Sequence, residues 1–227
     1  MNFVLKVSLT LLLLLTSKVI FAQMDTVNTP FEKGISKDGY KEGVWEYYDK
    51  PGDLGLSINY TSGQVNFLKT DTSSYVLQIR GEWQKVSGLD SQPRYEGSME
   101  DFKRIRRGMR YPRQAFDNRT AGSFVISFEV DTSGQAINYQ VINDIGDGCS
   151  DEVISLLKLV PNRWLPAKKD GKFYAAKFLI PVTFKLTFDN KEVKPKNNKR
   201  VNEVLLGKEL PAYILEGYME TKRISSH

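Results

Sequence analysis

Cys149 and His227 are the only cysteine and the only histidine of the 227-residue chain, and His227 is its last residue. A cysteine nucleophile needs a base to take its proton, and no Cys–His pairing is evident here. The same shortage removes most zinc chemistry and most histidine acid–base work. Cys149 precedes Ser150-Asp151-Glu152, where a helix N-terminus would lower a thiol pKa somewhat. Without a base that leaves Cys149 a packing role. A lone cysteine closes no intramolecular disulfide, so the core must hold the fold.

Carboxylates are the next candidates. Asp144, Asp147, Asp151 and Glu152 cluster around Gly146 and Gly148. A calcium loop needs carboxylates at alternating positions with a glycine at the sharp bend, and these spacings do not supply them. The expected structure is a loop entering a helix, with Ser150 as cap and the two following acids facing the positive end of the dipole. A cell-wall hydrolase would need two acids in one cleft with separated pKa values. Glu46, Glu82 and Asp170, with Trp45 or Trp83 beside them, are the residues to watch, and the sequence does not bring them together. The expectation is a protein that is not an enzyme, with no catalytic residues, no cofactor and no metal.

Charge gives a second exclusion. The net charge is +5, with 26% charged residues of mixed sign, whereas a nucleic-acid binder concentrates its basic residues in one stripe. Lys103, Arg104, Arg106, Arg107, Arg110 and Arg113 form the densest basic run. It would suit an anionic envelope surface, although a solvated helix face is the favoured reading.

The remaining chemistry is that of the main chain. Phe178, Ile180, Val182, Phe184 and Leu186 give the longest period-two alternation in the sequence, the mark of a half-buried strand. Pro181 lies inside it. Proline has no N–H to donate, so it belongs on an edge strand or at a bulge. An exposed edge is what a peptide needs to add itself as another strand, although a proline also guards an edge against aggregation. The outward residues Lys177, Leu179, Pro181, Thr183 and Lys185 are the candidate partner-binding positions.

Several elements must position that strand. Phe102, Ile105 and Met109 share a helical face over 98–109, and Pro112 marks the exit. Phe124, Ile126, Phe128 and Val130 alternate along a strand that turns at 131–134 into Ile137, Tyr139 and Val141. Val153, Leu156, Leu157 and Val160 make an amphipathic helix over 151–160, stopped by Pro161.

This order resembles the C-terminal domain of the TonB family. The resemblance rests on Met109-Arg110-Tyr111-Pro112-Arg113-Gln114-Ala115, the Gly122 to Ile137 hairpin, Gly148-Cys149-Ser150-Asp151-Glu152, Pro161-Asn162-Arg163-Trp164-Leu165-Pro166-Ala167, Gly171-Lys172 and Leu179 to Leu186. It implies an α+β fold with two helices packed on a three-stranded antiparallel sheet. It also implies a periplasmic location and a last strand that pairs with the TonB box of an outer-membrane transporter. The expected partner is therefore a TonB-dependent transporter or another periplasmic protein, with a second copy of the chain as a further partner. Nucleic acid is not expected.

The N-terminus reads as a cleaved secretory signal. Lys6 supplies charge, residues 7–16 are mainly apolar, and Ile20-Phe21-Ala22 ends in a small residue before Gln23. The apolar run is on the order of ten residues, about half of what spans a bilayer. An uncleaved anchor, as in energy transducers of the family, is the alternative. Between Gln23 and Arg94 the only prolines are Pro30, Pro51 and Pro93, so no long Pro-rich spacer is present.

Gly39-Tyr40-Lys41-Glu42-Gly43-Val44-Trp45-Glu46-Tyr47-Tyr48, followed by Asn59-Tyr60 and Gly63, resembles a β-hairpin of MORN-like repeats. The expected organisation is a signal peptide at 1–22, a leader at 23–37 and a MORN-like β-rich module at 38–86. A linker at 87–97, a TonB C-terminal-like domain at 98–188 and a basic extension at 189–227 follow.

Overall fold

The structure is a computed structural model that describes residues 23–196 and the backbone of 208–209 and 213–219, without the side chains of 99, 100, 103, 104 and 106. The expected signal peptide lies outside the described residues, as do the side chains of Lys103, Arg104 and Arg106 from the basic run. Among the described residues, no helix is long and apolar enough to cross a membrane.

The first sheet is an antiparallel meander of β1 (Met24–Asn28), β2 (Glu32–Lys37), β3 (Tyr40–Lys50), β4 (Asp53–Asn59) and β5 (Gln64–Leu68), in that order. Residues 23–37, expected as a leader, instead form β1 and β2. β1 is exposed along almost its whole length and the inner row of β2 is only half-buried, so neither strand needs an apolar alternation. Its small core holds Trp45, Tyr47, Leu56 and Ile58, and the Trp45 and Tyr47 rings sit on one face, as their spacing predicts. Gly34 is required beneath Trp45, since a Cβ there would overlap the indole.

The second sheet carries the larger core. It runs β10 (Ala136–Ile142), β9 (Gly122–Val130), β14 (Ala176–Phe188), β6 (Tyr75–Ile79) and β7 (Glu82–Val86). The expected three-stranded sheet is thus extended. The β6–β7 hairpin, expected within the N-terminal module, pairs instead with the start of β14 through Leu77↔Ala176 and Val76↔Lys177. Tyr75, Val76 and Leu77 are all buried, which fits an inner position in a sheet covered on both sides.

Helices α1 (Met99–Gly108), α2 (Arg113–Asp117) and α3 (Cys149–Leu157) complete the α+β fold. Phe102, Ile105 and Met109 from the first helix segment, with Val153 and Leu157 from the third, join the core formed by Phe124, Ile126, Phe128, Phe178, Ile180 and Phe184. Helix α3 starts two residues earlier than expected, and its N-cap is Gly148 in a left-handed conformation, not Ser150. Ser150 lies buried in the first turn, while Asp151 and Glu152 sit near the positive end of the helix.

The segment 87–97 is likewise no free linker. Its β8 (Arg94–Tyr95) pairs with β11 (Trp164–Leu165), and Gln92, Tyr95 and Ser98 beside it are buried. The hairpin of β12 (Ala167–Lys169) and β13 (Lys172–Tyr174) then leads into β14.

Candidate functional site

Strand β14 pairs with β9 in an antiparallel register that runs unbroken from Ala176↔Val130 to Phe184↔Gly122. Its inner row is formed as the alternation predicts. Phe178, Ile180, Val182, Phe184 and Leu186 are all at most 2% exposed.

The pairing with β9 passes through Pro181↔Val125 without a shift. A proline tolerated there points its missing donor away from β9. By the two-residue alternation of a strand, the main-chain N–H and C=O of Lys177, Leu179, Thr183 and Lys185 point the same way. These groups form the outer edge of β14.

That edge was expected to be open, and it is not. Val76 of β6 covers Lys177. Strand β16 (Lys208–Glu209) then runs parallel to Phe178 and Leu179, and β17 (Tyr213–Met219) runs parallel to β14 from Val182↔Tyr213 to Phe188↔Met219. The ladder on this side breaks between Leu179 and Val182, where Pro181 offers no N–H. The chain's own C-terminal segment therefore occupies the predicted binding edge. The signal for this was a pair of apolar runs in the tail, Val204-Leu205-Leu206 and Tyr213-Ile214-Leu215.

The side chains of the five candidate positions differ in surroundings. Lys177 places its ammonium 4.2 Å from the centroid of the Trp83 ring, a cation–π contact that fixes the β7 hairpin beside the edge. Leu179 is buried although it lies on the face away from the helices, as are Val125 and Ser127 beside it. Thr183 shares a hydrogen bond of 2.9 Å with Ser123 across the sheet, a cross-strand pair that supports the register. Pro181 is partly exposed and Lys185 is exposed.

Where the tail leaves the body it is tied down. Beyond β14, β15 (Lys191–Glu192) folds back on Thr187 and Phe188. The Lys196 N–H then donates to the Ala121 carbonyl at 2.7 Å, and its ammonium donates to Asp147 at 2.9 Å. Asp147 also accepts from the Thr120 hydroxyl and from the Asn118 amide. Bonds from Thr120, Lys196 and Asn118 hold its carboxyl down at about 2. A carboxyl lowered in the folded state stabilises above its unfolded value of about 3.9, and that contribution fades as pH falls toward about 2. Acid unfolding followed by circular dichroism should therefore steepen between about pH 4 and pH 2, and Asp147→Asn should flatten that limb. An unchanged limb would mean that Asp147 does not anchor this junction.

The other chemical candidates are dispersed. Cys149 is fully buried, and burial pushes its thiol up to about 12, which suits packing and not reactivity. Glu46 lies on β3 and accepts from the Tyr48 hydroxyl at 2.5 Å, Glu82 opens β7, and Asp170 sits in the turn between β12 and β13. The acids of the hydrolase alternative are thus on three separate elements. Among the described residues, no group of three or more His, Cys, Asp or Glu could hold a metal ion.

No curated protein and no solved structure matches the chain. Residues 107–186, which span α2, the β9–β10 hairpin, α3 and β14 to Leu186, match the family described as Gram-negative bacterial TonB protein C-terminal.

Proposed function

We propose that this is a periplasmic interaction protein that binds an extended peptide by strand addition along the outer edge of β14. The partner is the TonB box of an outer-membrane transporter or a similar segment of another envelope protein, and the binding supports transport across the outer membrane. The contact positions are Leu179, Pro181, Thr183 and Lys185; Lys177 borders them but already pairs with Val76 of β6. Main-chain bonds would give affinity and the flanking side chains selectivity. One observation carries the reading. The edge already holds an extended segment, β17, in a parallel alignment seven residues long. An edge that accepts its own tail in this way has the geometry to accept a partner strand.

The tail must then leave before a partner can bind. It is tethered at Lys196, only a short stretch of chain from β16, so its local concentration at the edge is on the order of millimolar. A free peptide competes against that, and its apparent affinity falls by the fraction of molecules with an open edge. A chain ending at Lys196 keeps the Asp147 anchor and loses β16 and β17. It should capture outer-membrane transporters from a solubilised envelope fraction at least about tenfold more tightly than the chain ending at His227. Equal or weaker capture by the shortened chain would contradict the proposed edge.

A further inference from the structure

The register of β17 on β14 tells what the outer edge accepts. It runs without a break from Val182↔Tyr213 to Phe188↔Met219. Residues paired across two strands share a face of the sheet, and successive residues alternate between faces. Tyr213, Leu215, Gly217 and Met219 therefore stand in the row of Val182, Phe184, Leu186 and Phe188. Val182, Phe184 and Leu186 are buried, and α1 passes close to β17. That row calls for apolar or small residues, and the tail supplies three apolar residues and a glycine.

The other row carries the charge. Ile214, Glu216 and Tyr218 stand at the levels of Thr183, Lys185 and Thr187. Within the stretch of β14 that registers with β17, Lys185 is the single charged residue, and Glu216 is the single charged residue of β17. The observed register sets these two opposite each other. A slip of one residue would move Glu216 into the apolar row, and a slip of two would set it against a threonine.

We infer that Lys185 selects the occupant of this edge, which is a strand with an acidic residue at the level of Lys185 and apolar or small residues at the levels of Phe184 and Leu186. Residues 213–219 are then a built-in copy of the partner's recognition segment, and tail and partner compete for the same charge. The inference rests on the strand-addition reading and adds to it the register and the charge of the partner.

The test uses two fluorescently labelled peptides of residues 212–220, one with the native sequence and one with Glu216→Lys. Each is titrated by anisotropy into the 23–227 chain. The chain's own tail lowers both apparent affinities by the same fraction of open molecules, so their ratio reports the edge alone. Opposite charges directly across a strand pair are favourable and like charges unfavourable. The native peptide should therefore bind about three- to tenfold more tightly than the lysine peptide, and the order should invert on Lys185→Glu. In the intact chain, Lys185→Glu or Glu216→Lys should speed amide exchange of residues 213–219 by a similar factor, and the two together should restore it. Should Lys185→Glu lose the native amide spectrum, Lys185→Gln serves instead and should bring the two peptides to equal affinity. Equal binding of both peptides to the parent chain, no binding of either, an order unchanged by the substitution, or no rescue of exchange in the double variant would overturn the inference. Transporter capture by the shortened chain is scored apart. Capture that persists without the charge preference sinks this inference alone, and loss of capture as well sinks strand addition.

Discussion

Phe128→Ala is expected to lower stability by about 3–5 kcal/mol, and Trp164→Ala by a similar amount. Phe128 is 2% exposed and is stacked between Tyr139 and Phe178 with ring centroids 5.4 Å away on each side. Trp164 lies 5.5 Å from Phe128, 5.0 Å from Phe178 and 5.4 Å from Tyr95. These rings come from β8, β9, β10, β11 and β14, so no single element can shift to fill a void. Trp164 is also fixed through its backbone, whose N–H donates to the Gly134 carbonyl at 3.0 Å. Gly134 in turn has φ +80°, and a Cβ there would strike the Trp164 carbonyl. The surroundings cannot collapse, and residual cavity volume adds to the lost transfer energy. Urea unfolding with an unchanged m-value would measure the loss. A loss below about 1 kcal/mol, under the usual range for such truncations, would mean that the aromatic cluster does not hold the sheet together.

The parts of the fold legible in the sequence were those with strong local periodicity. The alternation of Phe124 to Val130 and of Phe178 to Leu186 located β9, β14 and their inner faces. Phe102, Ile105 and Met109 located α1 and the side it buries. The turn at 131–134 was legible too. Its Asp131 carboxylate accepts from the Ser133 and Gln135 N–H groups, the local bonding that makes aspartate a turn residue.

What the sequence did not disclose was pairing between distant segments. The apolar residues Val76, Leu77 and Ile79 suit a strand and do not say which sheet it joins. The β6–β7 hairpin was therefore assigned to the nearer module. The Gln92 to Ser98 stretch is rich in turn-forming types, yet it is buried against β11 by long-range contacts that composition does not reveal. Helix α3 was offset because Gly148 takes the left-handed cap geometry, while Ser150 was the better side-chain capper by type.

The candidate site divides along the same line. Pro181 pointed to an edge strand, whereas β14 is paired on both sides, with β9 on one and with β6, β16 and β17 on the other; the proline falls where the second ladder breaks, between Leu179 and Val182. The occupant of that edge lies more than twenty residues further on in a polar tail, and its parallel alignment has no local sequence mark. Parallel pairing needs no tight turn, so no Gly or Asn-Gly signal announces it.

The central claim is that a partner strand pairs with the outer edge of β14, and Thr183→Pro tests it most directly. Thr183 directs its N–H to the same side as the nitrogen of Pro181, away from β9, so the substitution removes an edge donor and leaves the β9 ladder its own bonds. It is best made in the chain ending at Lys196, where no tail competes. Near-ultraviolet circular dichroism, to which the packed Phe128, Tyr139 and Trp164 rings contribute, reports whether the core stays intact. The measurement is binding of the solubilised outer-membrane transporter to the immobilised variant and to its parent. The account predicts a native aromatic spectrum with binding abolished, while Thr183→Ala binds nearly as the parent does. A folded Thr183→Pro protein that captures the transporter at full strength would contradict it.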